Sequence, residues 1–139
     1  MKKKYFDLAF IYAIAAMAAG VFYREFTKWQ GFTGTTALGK VHTHIFVLGM
    51  LVFLLVAIFS QSMELEKEKK FRIFMIIYNI GVPILAVTML VRGVTQVMGR
   101  ELGKSCNFAM SGIAGLGHTL TGIGIVLLLL ALKKCADRV

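Results

Sequence analysis

Four uncharged stretches set the limits on this chain: residues 8–23, 41–63, 73–91 and 105–132, of 16, 23, 19 and 28 residues, each bounded by charged side chains. A hydrocarbon layer about 30 Å thick is crossed by roughly 20 apolar residues of helix. Backbone groups in lipid must be satisfied within the helix itself, so such stretches become helices rather than open strands. Four of them in 139 residues leave no length for a separate soluble domain. The expectation is an all-α integral membrane protein. It is a single up-down-up-down four-helix bundle over residues 1–139, with helices at about 6–23, 36–60, 71–91 and 108–132. The high mean hydropathy of +0.75 agrees with this.

The formal net charge of +9 does not point to nucleic acid, because the basic residues sit at the ends of the apolar stretches. Ten of the sixteen lie on one side: Lys2, Lys3, Lys4, Lys67, Lys69, Lys70, Arg72, Lys133, Lys134 and Arg138. The other side has six: Arg24, Lys28, Lys40, Arg92, Arg100 and Lys104. The bias places both termini in the cytoplasm, where the clusters meet anionic headgroups. The first stretch lacks a small-residue cleavage site and runs into Phe22-Tyr23-Arg24-Glu25, so it reads as a retained helix rather than a signal peptide. Cys106 and Cys135 fall on opposite sides of the membrane and are not expected to pair.

Within this frame the polar residues stand out. Asn79 and Pro83, four apart in the third stretch, predict a bend. Thr35 or Thr36 is expected to cap an early start of the second helix. The fourth stretch has a glycine-rich outer half, MSGIAGLGHTLTGIG, and a plain inner half, IVLLLLAL. The three histidines, His42, His44 and His118, all fall in or beside outer halves. Ionisable residues inside a membrane are costly and are functional candidates by default.

His44 and His118 are expected at a common depth, facing each other from helices two and four. His42 and His44, two positions apart, point about 200° apart on a helix, so only one of them faces inward. Gly115 and Gly122 leave a smooth groove beside His118 in which a flat cofactor could lie. Two imidazoles on opposite helices suit the axial positions of haem b. Arg24, Arg92 and Lys40 are placed to pair with its propionates, and Tyr23 and Trp29 to close the rim. His42, Asn79 and Thr121 are candidates for supporting or alternative ligands. The competing reading is an interhelical polar cluster in which His44 bonds Thr121 or Asn79. A zinc or copper site lacks a third ligand at the same level. Acid/base carboxylate pairs, an activated serine and a phosphate loop are all missing.

The segments YREFTK (23–28), GFTG (31–34), HTHIFVLG (42–49) and GHTLTGIG (117–124) resemble a family of small four-helix bacterial membrane proteins classed as a domain of unknown function. The resemblance spans essentially the whole chain. It implies a bacterial plasma-membrane location and carries over no catalytic role. More loosely, His42-Thr43-His44 is similar to the H-x-H helix of haem-copper oxidases and nitric-oxide-response haem membrane proteins. The chain is too short, and has too few histidines, for a copper centre. The expected function is haem-b binding for electron transfer, haem handling or gas sensing, with a quinone or membrane redox partner. A small transporter or channel, as a homo-oligomer, and a cofactor-free accessory subunit are the alternatives.

Overall fold

The structure, a computed structural model, describes residues 2–138. Four long helices occupy nearly all of it: α1 (Lys3–Trp29), α2 (Leu38–Ser62), α3 (Lys69–Val97) and α4 (Lys104–Ala136). All four are long and apolar enough to cross a membrane. Each extends past its uncharged stretch, because Lys and Arg side chains at the ends reach back to the interface while their backbone stays helical. Thus α1 continues through Arg24 and Glu25 to Trp29, and α3 through Arg92 to Val97. Pro83 lies within the unbroken α3.

Successive helices run antiparallel, so both termini and the α2–α3 turn share one end. There the Lys2 ammonium donates to the Gln61 carbonyl at 3.1 Å. Lys134 and Arg138, from the end of α4, both pair with Glu68 at 2.7 Å. At the opposite end, α1 and α3 both stop at a glycine with positive φ, Gly31 (61°) and Gly99 (62°). Behind each, the next amide bonds back five residues, Phe32 to Thr27 and Arg100 to Thr95. Glycine takes this left-handed position without steric cost. α2 then starts at Leu38, two residues later than its sequence suggests. Thr36 still serves its start: its hydroxyl accepts from the Leu38 amide and donates to the Gly93 carbonyl of α3.

The helices pack as one body at the inner end and part at the outer end. The inner core draws on all four, with Tyr5, Ala9, Phe53, Phe71, Phe74, Tyr78, Leu128 and Cys135 buried together. The outer core, around Ala16, Leu38, Val41, Ile45 and Val97, is built from α1, α2 and α3 alone. The outer half of α4 leans on α3 through its small residues: a Cβ on Gly117 would come 2.9 Å from the Leu85 amide nitrogen, and one on Gly81 2.8 Å from that of Thr121. Such close backbone approach is how membrane helices gain dispersion contact where burial in lipid gives no hydrophobic drive. Large apolar side chains such as Phe10 (66% exposed), Val21 (64%) and Ile76 (64%) cover the outside, as suits a lipid-facing surface.

Candidate functional site

The two histidines of α2 separate as their spacing requires. His42 turns to α1, where its ring stacks on Tyr23 at 6.5 Å between centroids and lies 3.6 Å from the position of a Cβ on Gly20. Its Nδ1 is buried and has no hydrogen-bond partner among the described residues. His44 turns away from α1 and, with Thr43, Val47 and Leu48, lines a shallow pocket of about 290 Å³. Its Nδ1 lies 2.8 Å from the Lys40 carbonyl oxygen, one turn earlier. It is therefore not bonded to Thr121 or Asn79, the partners that the polar-cluster reading offers it. Asn79 donates to the Met75 carbonyl of its own helix at 2.6 Å, and buried Thr121 donates to the Gly117 carbonyl at 2.8 Å.

His118 on α4 repeats the arrangement of His44. Its Nδ1 lies 2.9 Å from the Ala114 carbonyl oxygen, again four residues earlier, and the ring is exposed. A carbonyl oxygen only accepts, so each Nδ1 is the protonated nitrogen. In the neutral imidazole that leaves Nε2 with a free lone pair, the form that binds a metal.

α3 fixes how the two rings stand relative to each other. Leu38 of α2 lies directly over Gly93, and Gly117 of α4 lies against Leu85. Counting inward, His44 falls beside about residue 87 of α3 and His118 beside about residue 84, a difference of roughly 5 Å at 1.5 Å per residue. Counting from the helix ends instead fails, because α4 begins at Lys104, four residues before the position expected from sequence. The facing is also set. Arg92 of α3 reaches Ser111 of α4 at 2.8 Å and Asn107 at 3.5 Å. His118 is seven residues from Ser111, hence on the same flank of α4 to within about 20°. On α2, His44 shares its side with Leu48, whose carbonyl accepts the Tyr78 hydroxyl of α3 at 2.7 Å. The other side of the Tyr78 ring lies against Gly124 of α4. One tyrosine thus touches both α2 and α4, and His44 and His118 stand about 6 Å and about 9 Å outward of its contacts, flanking the trough that these contacts imply between the two helices.

The remaining candidates divide. Gly115 and Gly122 face open space, with no atom of a neighbouring element among the described residues within 4 Å of where a Cβ would lie; the α4 glycines that meet another helix are Gly117 and Gly124. Arg24 is exposed and sits 3.8 Å from Glu25. Trp29 is 75% exposed at the outer end of α1. Lys40 contributes its carbonyl rather than its ammonium. Arg92 is the candidate cation that bonds α4, through Ser111 and Asn107, and it borders a cleft of about 470 Å³ that also includes Arg100.

Three features were not read from sequence. Tyr78 looks like one more aromatic in an apolar stretch. Arg100 lies past its apolar stretch, where sequence alone marks it only as one of six basic residues on that side. The third is a π-helical segment, Ile45–Leu51, directly after His44. Wider π turns free backbone carbonyls and recur at functional sites; the Leu48 carbonyl taken by Tyr78 lies within this one.

Among the described residues, no three His, Cys, Asp or Glu side chains gather as a metal cluster. Cys106 is exposed and Cys135 buried, at opposite ends of α4. Residues 1–135 match the family described as "Protein of unknown function (DUF2871)". The chain belongs to this family. No curated protein and no solved structure matches it.

Proposed function

We propose that this protein holds haem b in the trough between α2 and α4, with His44 and His118 as its axial ligands, and serves electron transfer, haem handling or gas sensing in the bacterial plasma membrane. The observation that carries the reading is the shared state of the two imidazoles. Each has Nδ1–H committed to a backbone carbonyl one turn earlier, at 2.8 and 2.9 Å, and among the described residues neither Nε2 has a hydrogen-bond partner. Metal-binding histidines characteristically have the second nitrogen tied in this way, which fixes the tautomer and raises ligand basicity. A two-histidine haem site needs no third protein ligand, so the donor set fits the group.

Three further features support it. The rings come to within about one turn of the same depth on neighbouring walls of one trough. Among the described residues α4 contributes none to the outer core formed by α1, α2 and α3, which supports room between α2 and α4 at that end. The excess of basic residues at the end carrying both termini supports a cytoplasmic position for that end. Haem held by both imidazoles would supply one-electron redox chemistry; gas binding would require one of the two histidines to leave the iron. The protein's own part would be to orient the imidazoles, exclude water and set the potential through burial.

The test is an absorption spectrum of the chain purified in mild detergent after expression with ample haem, before and after dithionite. The expected result is a Soret band that shifts on reduction, lost or altered in His44→Ala and His118→Ala and kept in His42→Ala. A wild-type preparation without a Soret band, even after reconstitution, would falsify the reading.

A further inference from the structure

We infer that the cleft bordered by Arg92 and Arg100 at the outer mouth of the trough is a carboxylate seat, and that it selects a tetrapyrrole with free propionates. The inference rests on the haem reading and names which part of that ligand the cleft takes. The cleft, about 470 Å³, lies between the outer end of α3 and the start of α4 and has Arg92, Gln96, Arg100, Glu101 and Asn107 among its lining.

Its charge balance is the first argument. At the inner end four of the ten cations have carboxylate partners among the described residues: Lys67 with Glu64, Lys134 and Arg138 with Glu68, and Lys4 with Glu66. At the outer end, Arg92 is half-buried and, among the described residues, bonds only neutral acceptors, the Ser111 hydroxyl and the Asn107 amide oxygen. Among the described residues, neither Arg92 nor Arg100 has a carboxylate partner. Glu101, the one acid lining the cleft, pairs with neither of them. A guanidinium at the membrane interface without a counter-charge favours an anionic ligand, and its fork matches a carboxylate with two parallel hydrogen bonds.

Position is the second argument. Ser111 and Asn107 hold Arg92 on the flank of α4 that also carries His118, so guanidinium and imidazole share one wall. Arg92 lies eight residues outward of Ile84, whose side chain meets Gly117 beside His118. That is about 12 Å along the helix, a span the long Arg side chain shortens by reaching inward. A planar ligand held by the histidines would therefore present its outward edge to this cleft. A ligand without negative charge on that edge would leave both guanidiniums uncompensated.

The experiment compares haem with haem dimethyl ester, which has the same ring and iron and no free carboxylate, by titrating each into the haem-depleted chain in detergent and following the Soret band. In the wild-type chain the expected preference for haem is about tenfold or more, the size of one or two charge-assisted hydrogen bonds. In Arg92→Gln/Arg100→Gln that preference should fall to within about twofold, with the ester's affinity and the axial-histidine spectrum unchanged. Equal wild-type binding of the two ligands overturns the carboxylate seat and leaves the histidine assignment standing. Binding of neither overturns both. Because the ester comparison uses the unaltered chain, a misfolded variant does not decide the outcome.

Discussion

The ring of Tyr78 lies so close to Gly124 that a methyl group there would come 2.6 Å from its Cδ2 atom. The same side chain donates its hydroxyl to the Leu48 carbonyl at 2.7 Å. One residue of α3 therefore sets the spacing of both walls of the trough. Gly124→Val should force the ring or the helix to move, at a cost of about 1–3 kcal/mol as for other overpacked interiors. Tyr78→Phe keeps the ring and removes one buried hydrogen bond, about 1 kcal/mol. Reversible unfolding in mixed detergent micelles should rank the two in that order. A Gly124→Val chain as stable as wild type would show that α4 does not rest on Tyr78.

The glycines of α4 should split into two classes that sequence does not distinguish. Gly117→Ala pushes a methyl group against the Leu85 backbone, which cannot rotate aside, so destabilisation is expected. Gly115→Ala and Gly122→Ala place theirs in open space and should be neutral or stabilising by up to about 1 kcal/mol, the helix-propensity gain. The same unfolding assay applied to all three checks the division, and equal effects would contradict the packing of α4 on α3.

That division marks the limit of what the residues alone disclose. The four helices were legible because uncharged length reports a membrane span directly, and His44 and His118 because imidazoles are conspicuous in apolar surroundings. The helix ends were not, since long cationic side chains let helical backbone continue past the apolar stretch. Of five glycines at 112, 115, 117, 122 and 124, only the neighbouring helix decides which two are pressed flat. The π-helical segment after His44 has no residue-type signature, and Tyr78 is identified only by having α2 on one side and α4 on the other.

Acid should weaken the inner end. Lys134, then Arg138, hold the Glu68 carboxylate below its ordinary range, and the Tyr5 hydroxyl and Lys4 do the same for Glu66. A carboxyl group with a lowered folded-state pKa gives stability that is fully present above its unfolded value of about 4.3 and is lost as pH falls through the folded value. Thermal unfolding in detergent should therefore fall in midpoint from about pH 5 downward. Glu68→Gln should start lower at neutral pH and show a flatter decline. A wild-type midpoint independent of pH down to 3 would mean these ion pairs add nothing.

The two cysteines give a direct check of orientation. Cys106 is exposed in the first turn of α4, at the end carrying Gly31 and Gly99, whereas Cys135 is buried among inner-core residues at the end carrying both termini. With the more basic end in the cytoplasm, a membrane-impermeant maleimide added to intact spheroplasts should modify the chain at Cys106 alone. Cys106→Ser should then abolish the labelling. Modification only after the membrane is opened would place Cys106 in the cytoplasm and invert the topology. It would also move the arginine cleft and the trough mouth to the cytoplasmic face, so that haem would be delivered from inside the cell rather than from outside.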